Sequence, residues 1–64
     1  MSSNLFSKLT PGSFVINKKN SEWGIGQIQT SIDNIVTVNF ENVGKKTINV
    51  NVINLEIVKI NDIN

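Results

Sequence analysis

Five carboxylates, Glu22, Asp33, Glu41, Glu56 and Asp62, carry the acid and base chemistry available to this 64-residue sequence beyond its lysines, because histidine, cysteine and tyrosine are absent. Each falls in or beside an expected turn or strand end, where a solvated charge is the default. No two of them form the spaced pair that general acid and base work or a hard cation needs. The "GIG" at 24–26 lacks the third glycine of a dinucleotide loop, and no Walker lysine–serine pair occurs. With neither cysteine nor histidine a zinc staple is not expected either. The residues therefore read as a non-enzyme, without catalytic residues, cofactor or metal.

Surface chemistry is what remains. Lys18-Lys19 and Lys45-Lys46 sit in or beside expected loops, and in a small barrel the two pairs could meet at one end as a positive patch able to touch phosphate. Against a dedicated nucleic-acid binder stand a formal charge of +1 and the absence of arginine. No aromatic residue is interleaved with the lysines for base stacking. Nucleic-acid binding is expected to be weak or absent. Trp23, the one tryptophan, adjoins the polar stretch "NKKNSE". Such a ring is more often half-buried than enclosed, which leaves a face for a partner. Trp23, Glu22, Ile25 and Lys18, Lys19, Lys45 and Lys46 form the expected partner-binding set. An aromatic cage for a methylated lysine is not expected, because Phe6 lies outside the barrel and Phe40 in its core register, leaving too few rings to converge with Trp23 and Phe14.

The elements that must position these residues follow from alternation. "TPGS" reads as a turn with Pro11 fixing φ and Gly12 supplying positive φ, followed by a strand over 13–17. Residues 24–32 alternate with Ile28 and Ile32 on one face and Gln27 and Gln29 on the other, and Gly24 and Gly26 share a side where the missing side chain admits a close neighbour. Asp33-Asn34 is a tight turn, and 35–40 alternates again with Val36, Val38 and Phe40 inward. "ENVG" turns the chain into a strand over 46–51 with Ile48 and Val50 inward. A helical turn over 52–55 and a last strand over 56–59 complete the pattern. Gly24, Gly26, Ile28, Val36, Val38, Phe40 and Ile48 are the expected structural residues.

Five short strands with turn signals about every ten residues predict an all-β fold, a small five-stranded antiparallel SH3-like/Tudor-like barrel over 11–60. Residues 1–10 are expected as an N-terminal extension holding at most a loose turn, and 61–64 as a frayed tail. Closure is expected to hide the strand edges. A chain this short buries about 60% of its unfolded surface, so a deep catalytic pocket would consume its single core. "MSSNLFSKL" has neither a basic n-region nor a long apolar h-region, and no apolar run approaches ~20 residues, so a soluble cytoplasmic protein without membrane contact is expected. Eleven asparagines and ten isoleucines are what AT-rich codons supply.

"PGSFVINKKNSEWGIGQIQTSIDNIVTVNFENVGKKTI" followed by "NLEIV" resembles a family of very short bacterial proteins, frequent in alphaproteobacteria and labelled as of unknown function. The same order of motifs, an aromatic before Gly-x-Gly and then hairpin strands ending in Val-x-Phe, is similar to the C-terminal Tudor-like module of UvrD-type repair helicases. More distantly it resembles the RNA-polymerase-interacting domain of CarD-type regulators and of the transcription-repair coupling factor. The family commonly carries histidine after the first strand, where this sequence has Lys18. The resemblance implies a non-catalytic protein-interaction module whose partner is RNA polymerase or a repair factor. The alternatives are a weak nucleic-acid-binding barrel using the loop lysines and a structural subunit of a homo-oligomer.

Overall fold

Alternation of apolar and polar residues, reset by glycine and Asp-Asn turns, produces five short strands in the computed structural model, which describes residues 9–59. They are β1 (Phe14–Asn17), β2 (Gly26–Ile32), β3 (Ile35–Phe40), β4 (Gly44–Asn49) and β5 (Leu55–Ile57). The expected N-terminal turn, Phe6 and the tail 61–64 lie outside the described residues. All pairings are antiparallel, and the strands lie in the order β4-β3-β2-β1-β5 in one sheet. The protein is thus an all-β, barrel-like fold of five strands, with β1 joining the β2–β3–β4 meander to β5.

The turns obey their residue chemistry. Asp33 adopts φ 54° between β2 and β3, a left-handed conformation that its short polar side chain tolerates. Gly44, at φ 79°, opens β4 after the "ENV" turn. Where a helical turn was expected, the N–H groups of Val52 and Ile53 both donate to Asn49 O (3.0 and 2.9 Å), closing a turn that goes no further into helix. The last strand accordingly begins one residue early, at Leu55.

Val15, Ile28, Val36, Val38, Phe40 and Ile48 form the buried core, with Leu9, Trp23, Val50, Ile53, Leu55 and Ile57 packed around it. The inward set of β3 is the expected one. β2 departs from expectation after Ile28, because Ile28 faces Val38 while Thr30 faces Thr37: two steps on β2 match one on β3. Gln29 is the extra residue of a β-bulge, and the insertion moves every later side chain to the opposite face. Ile32, expected beside Ile28 in the core, is therefore 68% exposed and pairs with the exposed Ile35.

The strand edges also differ from expectation. The pairings run linearly from β4 to β5, so both remain edges of the sheet among the described residues. Among the described residues no ladder joins β4 to β5, so the sheet packs around its core without a hydrogen-bonded seam there.

Candidate functional site

The polar stretch after β1 winds into a 3-10 segment, Lys18–Trp23, kinked at Asn20 (φ −133°, ψ 58°). Asn17 starts it: its Oδ1 accepts from Lys19 N–H at 3.0 Å, as an N-capping side chain does. Gly24 ends it with φ 83°, its N–H donating to Ser21 O (3.0 Å). Gly24 therefore precedes β2 and does not share a strand face with Gly26, as the sequence had suggested. A left-handed backbone is what brings the chain out of the segment there, and a conformation of that kind is costly for a residue with a Cβ.

Gly26 serves a different need. It is buried against β3, and a Cβ in its place would lie 2.6 Å from Phe40 Cδ1 and 2.7 Å from Cε1, and closer still to Val38 Cγ1. The ring of Phe40 occupies the room the glycine leaves. Phe40 in turn meets Trp23 edge-on, with centroids 5.2 Å apart and planes at 66°. Trp23 is half-buried, so it covers the end of the core and keeps part of its surface outside.

Two loops are tied together beside that ring. Asn42 N–H donates to Trp23 O (3.0 Å) and Asn42 Nδ2 to Glu22 O (2.8 Å). Glu41 N–H donates to Ile25 O (2.9 Å), while Glu41 Oε1 accepts from Ile25 N–H (3.1 Å). The chain from Glu22 to Ile25 is thereby fixed to the β3–β4 turn, and Glu41, expected as a simple solvated charge, is a positioning group. Glu22, Trp23 and Ile25 come to one end of the fold with Glu41 and Asn42.

The lysines are not gathered into one patch. Lys45 pairs with Asn39 on the outward face of β4, whereas Lys46 pairs with the buried Val38 and so occupies a core-facing position at the sheet edge. Successive residues of a strand point to opposite faces. From there Lys46 Nζ reaches over the Trp23 ring, 5.3 Å from its centroid. Lys18 and Lys19 are exposed at the far end of the 3-10 segment from Trp23.

An open groove of about 440 Å³ adjoins this end, lined by Phe14, Ile25, Gln27, Asn39, Phe40, Glu41, Asn42 and Gly44. Phe14, Gln27, Asn39 and Lys45 are cross-strand partners in one row over four strands. Its amides can donate and accept, and Phe14 and Ile25 supply apolar contact, a surface suited to a polypeptide. Sequence reasoning missed Phe14, Gln27 and Asn39 because the cross-strand register that unites them depends on the bulge and the turns, and Asn42 because its bonds run from the β3–β4 turn to Glu22 and Trp23. A second hollow of about 300 Å³ lies by Leu9, Asp33, Val36 and Val50.

Asn17 was missed as well. It is wholly buried on the core face of β1, and its Nδ2 has no hydrogen-bond partner among the described residues. No group of three His, Cys, Asp or Glu side chains that could hold a metal assembles among the described residues. Among them, too, no helix is long and apolar enough to cross a membrane. The family described as "Protein of unknown function (DUF3553)" matches residues 9–58 of the chain. No curated protein and no solved structure matches it.

Proposed function

The chain belongs to the DUF3553 family, and we propose that it is a non-catalytic protein-interaction module binding a component of the transcription or DNA-repair machinery, with RNA polymerase as the first candidate. The observation that carries the reading is the end surface built around Trp23. There the half-buried ring and the half-buried Ile25 are held in place by the Glu41–Ile25 and Asn42–Glu22 hydrogen bonds, and Ile25, Glu41 and Asn42 also line the adjoining amide-rich groove. Aromatic anchors held rigidly and rimmed by polar groups are the usual makings of a protein interface. The choice of partner class comes from the sequence resemblance to the modules of UvrD-type helicases and CarD-type regulators. A domain this small presents a standard or smaller interface, so the affinity is expected to be micromolar.

The division of Lys45 and Lys46 between two faces favours this reading over the nucleic-acid one, since a duplex backbone would meet only one of them. The test is biolayer interferometry of the immobilised protein against purified bacterial RNA polymerase, with labelled oligonucleotides in parallel. Micromolar polymerase binding that weakens in Ile25→Ser and Glu22→Lys, both still folded by circular dichroism, is the expected result. Oligonucleotide binding at physiological salt without polymerase binding would replace the reading by its alternative.

A further inference from the structure

We propose that the outer edge of β4 takes up an extended acidic segment of a protein partner as an added strand, with Lys45 and Lys46 each receiving one carboxylate on opposite faces of the sheet. The inference rests on the interaction-module reading and supplies the surface and the partner's chemistry.

β4 pairs with β3 alone among the described residues and is six residues long, against three for the other edge, β5. A row of backbone donors and acceptors is thus left for pairing, the common route by which an extended peptide joins a sheet. Such edges are usually guarded by lysines and by inward-pointing charges. Lys46 is a charge of that kind: its partner Val38 is fully buried, and an apolar residue would be expected opposite it.

The guard is selective. A second copy of β4 would bring lysines towards lysines, and a basic strand would be repelled in the same way. An apolar strand would bury the Lys46 ammonium without an anion. A strand with two consecutive carboxylates meets neither penalty, because its successive side chains point to opposite faces, as those of Lys45 and Lys46 do. The acid nearest in sequence, Glu41, turns its Oε1 to Ile25 N–H. In the free protein the Lys46 ammonium rests over the Trp23 ring, a weak hold at an exposed site, and a carboxylate would draw it away. Trp23 thereby reports the event.

The test is to titrate the capped peptide Thr-Val-Glu-Glu-Val-Thr, and its Lys-Lys and Gln-Gln counterparts, into the isotope-labelled full chain up to the millimolar range. Backbone amide shifts, amide exchange and Trp23 fluorescence are followed together. The acidic peptide should shift and protect the amides of 44–48 and change the Trp23 emission. The double variant Lys45→Glu, Lys46→Glu should weaken it about tenfold and admit the Lys-Lys peptide instead. Absence of shifts in β4, shifts centred on β5, or equal binding of all three peptides would overturn the proposal. So would a single-stranded oligonucleotide that reproduces the β4 shifts and displaces the peptide, which would make the edge an anion site for nucleic acid. If polymerase binds while β4 stays unchanged with the peptides, this proposal alone fails. Loss of both signals removes the interaction reading too.

Discussion

Replacing Gly26 by alanine adds one methyl group where β2 packs closest against Val38 and Phe40. Its carbon would sit 2.6 and 2.7 Å from two ring atoms of Phe40 and nearer still to Val38 Cγ1, distances that real Cβ atoms essentially never show. The neighbours are backed by the rest of the core and cannot swing away as an exposed chain end can. Overpacking of this kind costs about 1–3 kcal/mol. A chain of 64 residues has only about 3–10 kcal/mol to lose. At roughly 4–8 °C per kcal/mol for a domain of this size, the melting temperature should fall by roughly 4–24 °C. Thermal and urea unfolding followed by circular dichroism measure it, with sulfate present should the variants be too unstable. The same substitution in a Val38→Ala background removes the nearest clashing atom, so the two changes should couple favourably by about 0.5 kcal/mol or more. Gly12→Ala is the control: nothing lies within 4 Å, but φ is +95°, so its cost is backbone strain and Val38→Ala should not relieve it. A Gly26→Ala protein that melts within a degree or two of the parent, or shows no coupling to Val38→Ala, would refute the close approach of β2 to Phe40.

Four further outcomes are expected. Val38→Ala or Phe40→Ala should each cost about 2–5 kcal/mol by urea unfolding, since both side chains are wholly or almost wholly buried. Asn17→Ala should change stability by less than about 1 kcal/mol, because loss of the cap to Lys19 N–H is offset by removal of a buried amide that has no acceptor among the described residues; a larger loss would mean that Nδ2 has a partner, such as an ordered water. Trp23 should show intermediate emission and measurable acrylamide quenching, and Lys46→Met should alter that emission while Lys45→Met leaves it unchanged. Oligonucleotides should bind no tighter than about 100 μM at physiological salt by fluorescence anisotropy, the weak end of non-specific binding.

The strands that alternate without interruption are legible in the sequence. Val36, Val38 and Phe40 lie inward because the period of a strand is two and burial selects one face, and the chain turns at Asp33-Asn34, where Asp33 takes the left-handed φ that its side chain tolerates. The absence of histidine, cysteine and tyrosine is likewise settled by composition alone. The face of Ile32 is not legible, because the bulge at Gln29 costs no turn residue and leaves the residue pattern of β2 looking regular while shifting its phase by half a period. Gly24 and Gly26 look alike in sequence, yet Gly24 takes a positive φ close against Glu41 and Asn42 while Gly26 makes room for the Phe40 ring, a difference that exists only once the chain packs on β3 and its turn. The site divides in the same way: Trp23 beside a polar loop is a local signal, whereas Glu41 and Asn42 acquire their roles from chain segments 16 and 20 residues away. Adjacent letters made Lys45-Lys46 look like one charged pair, and strand pleating separates them, sending Lys45 outward and Lys46 to the Trp23 ring. Local periodicity and turn chemistry act within a few residues and can be read in order; register, edge position and cross-strand contact are set by packing of the whole chain.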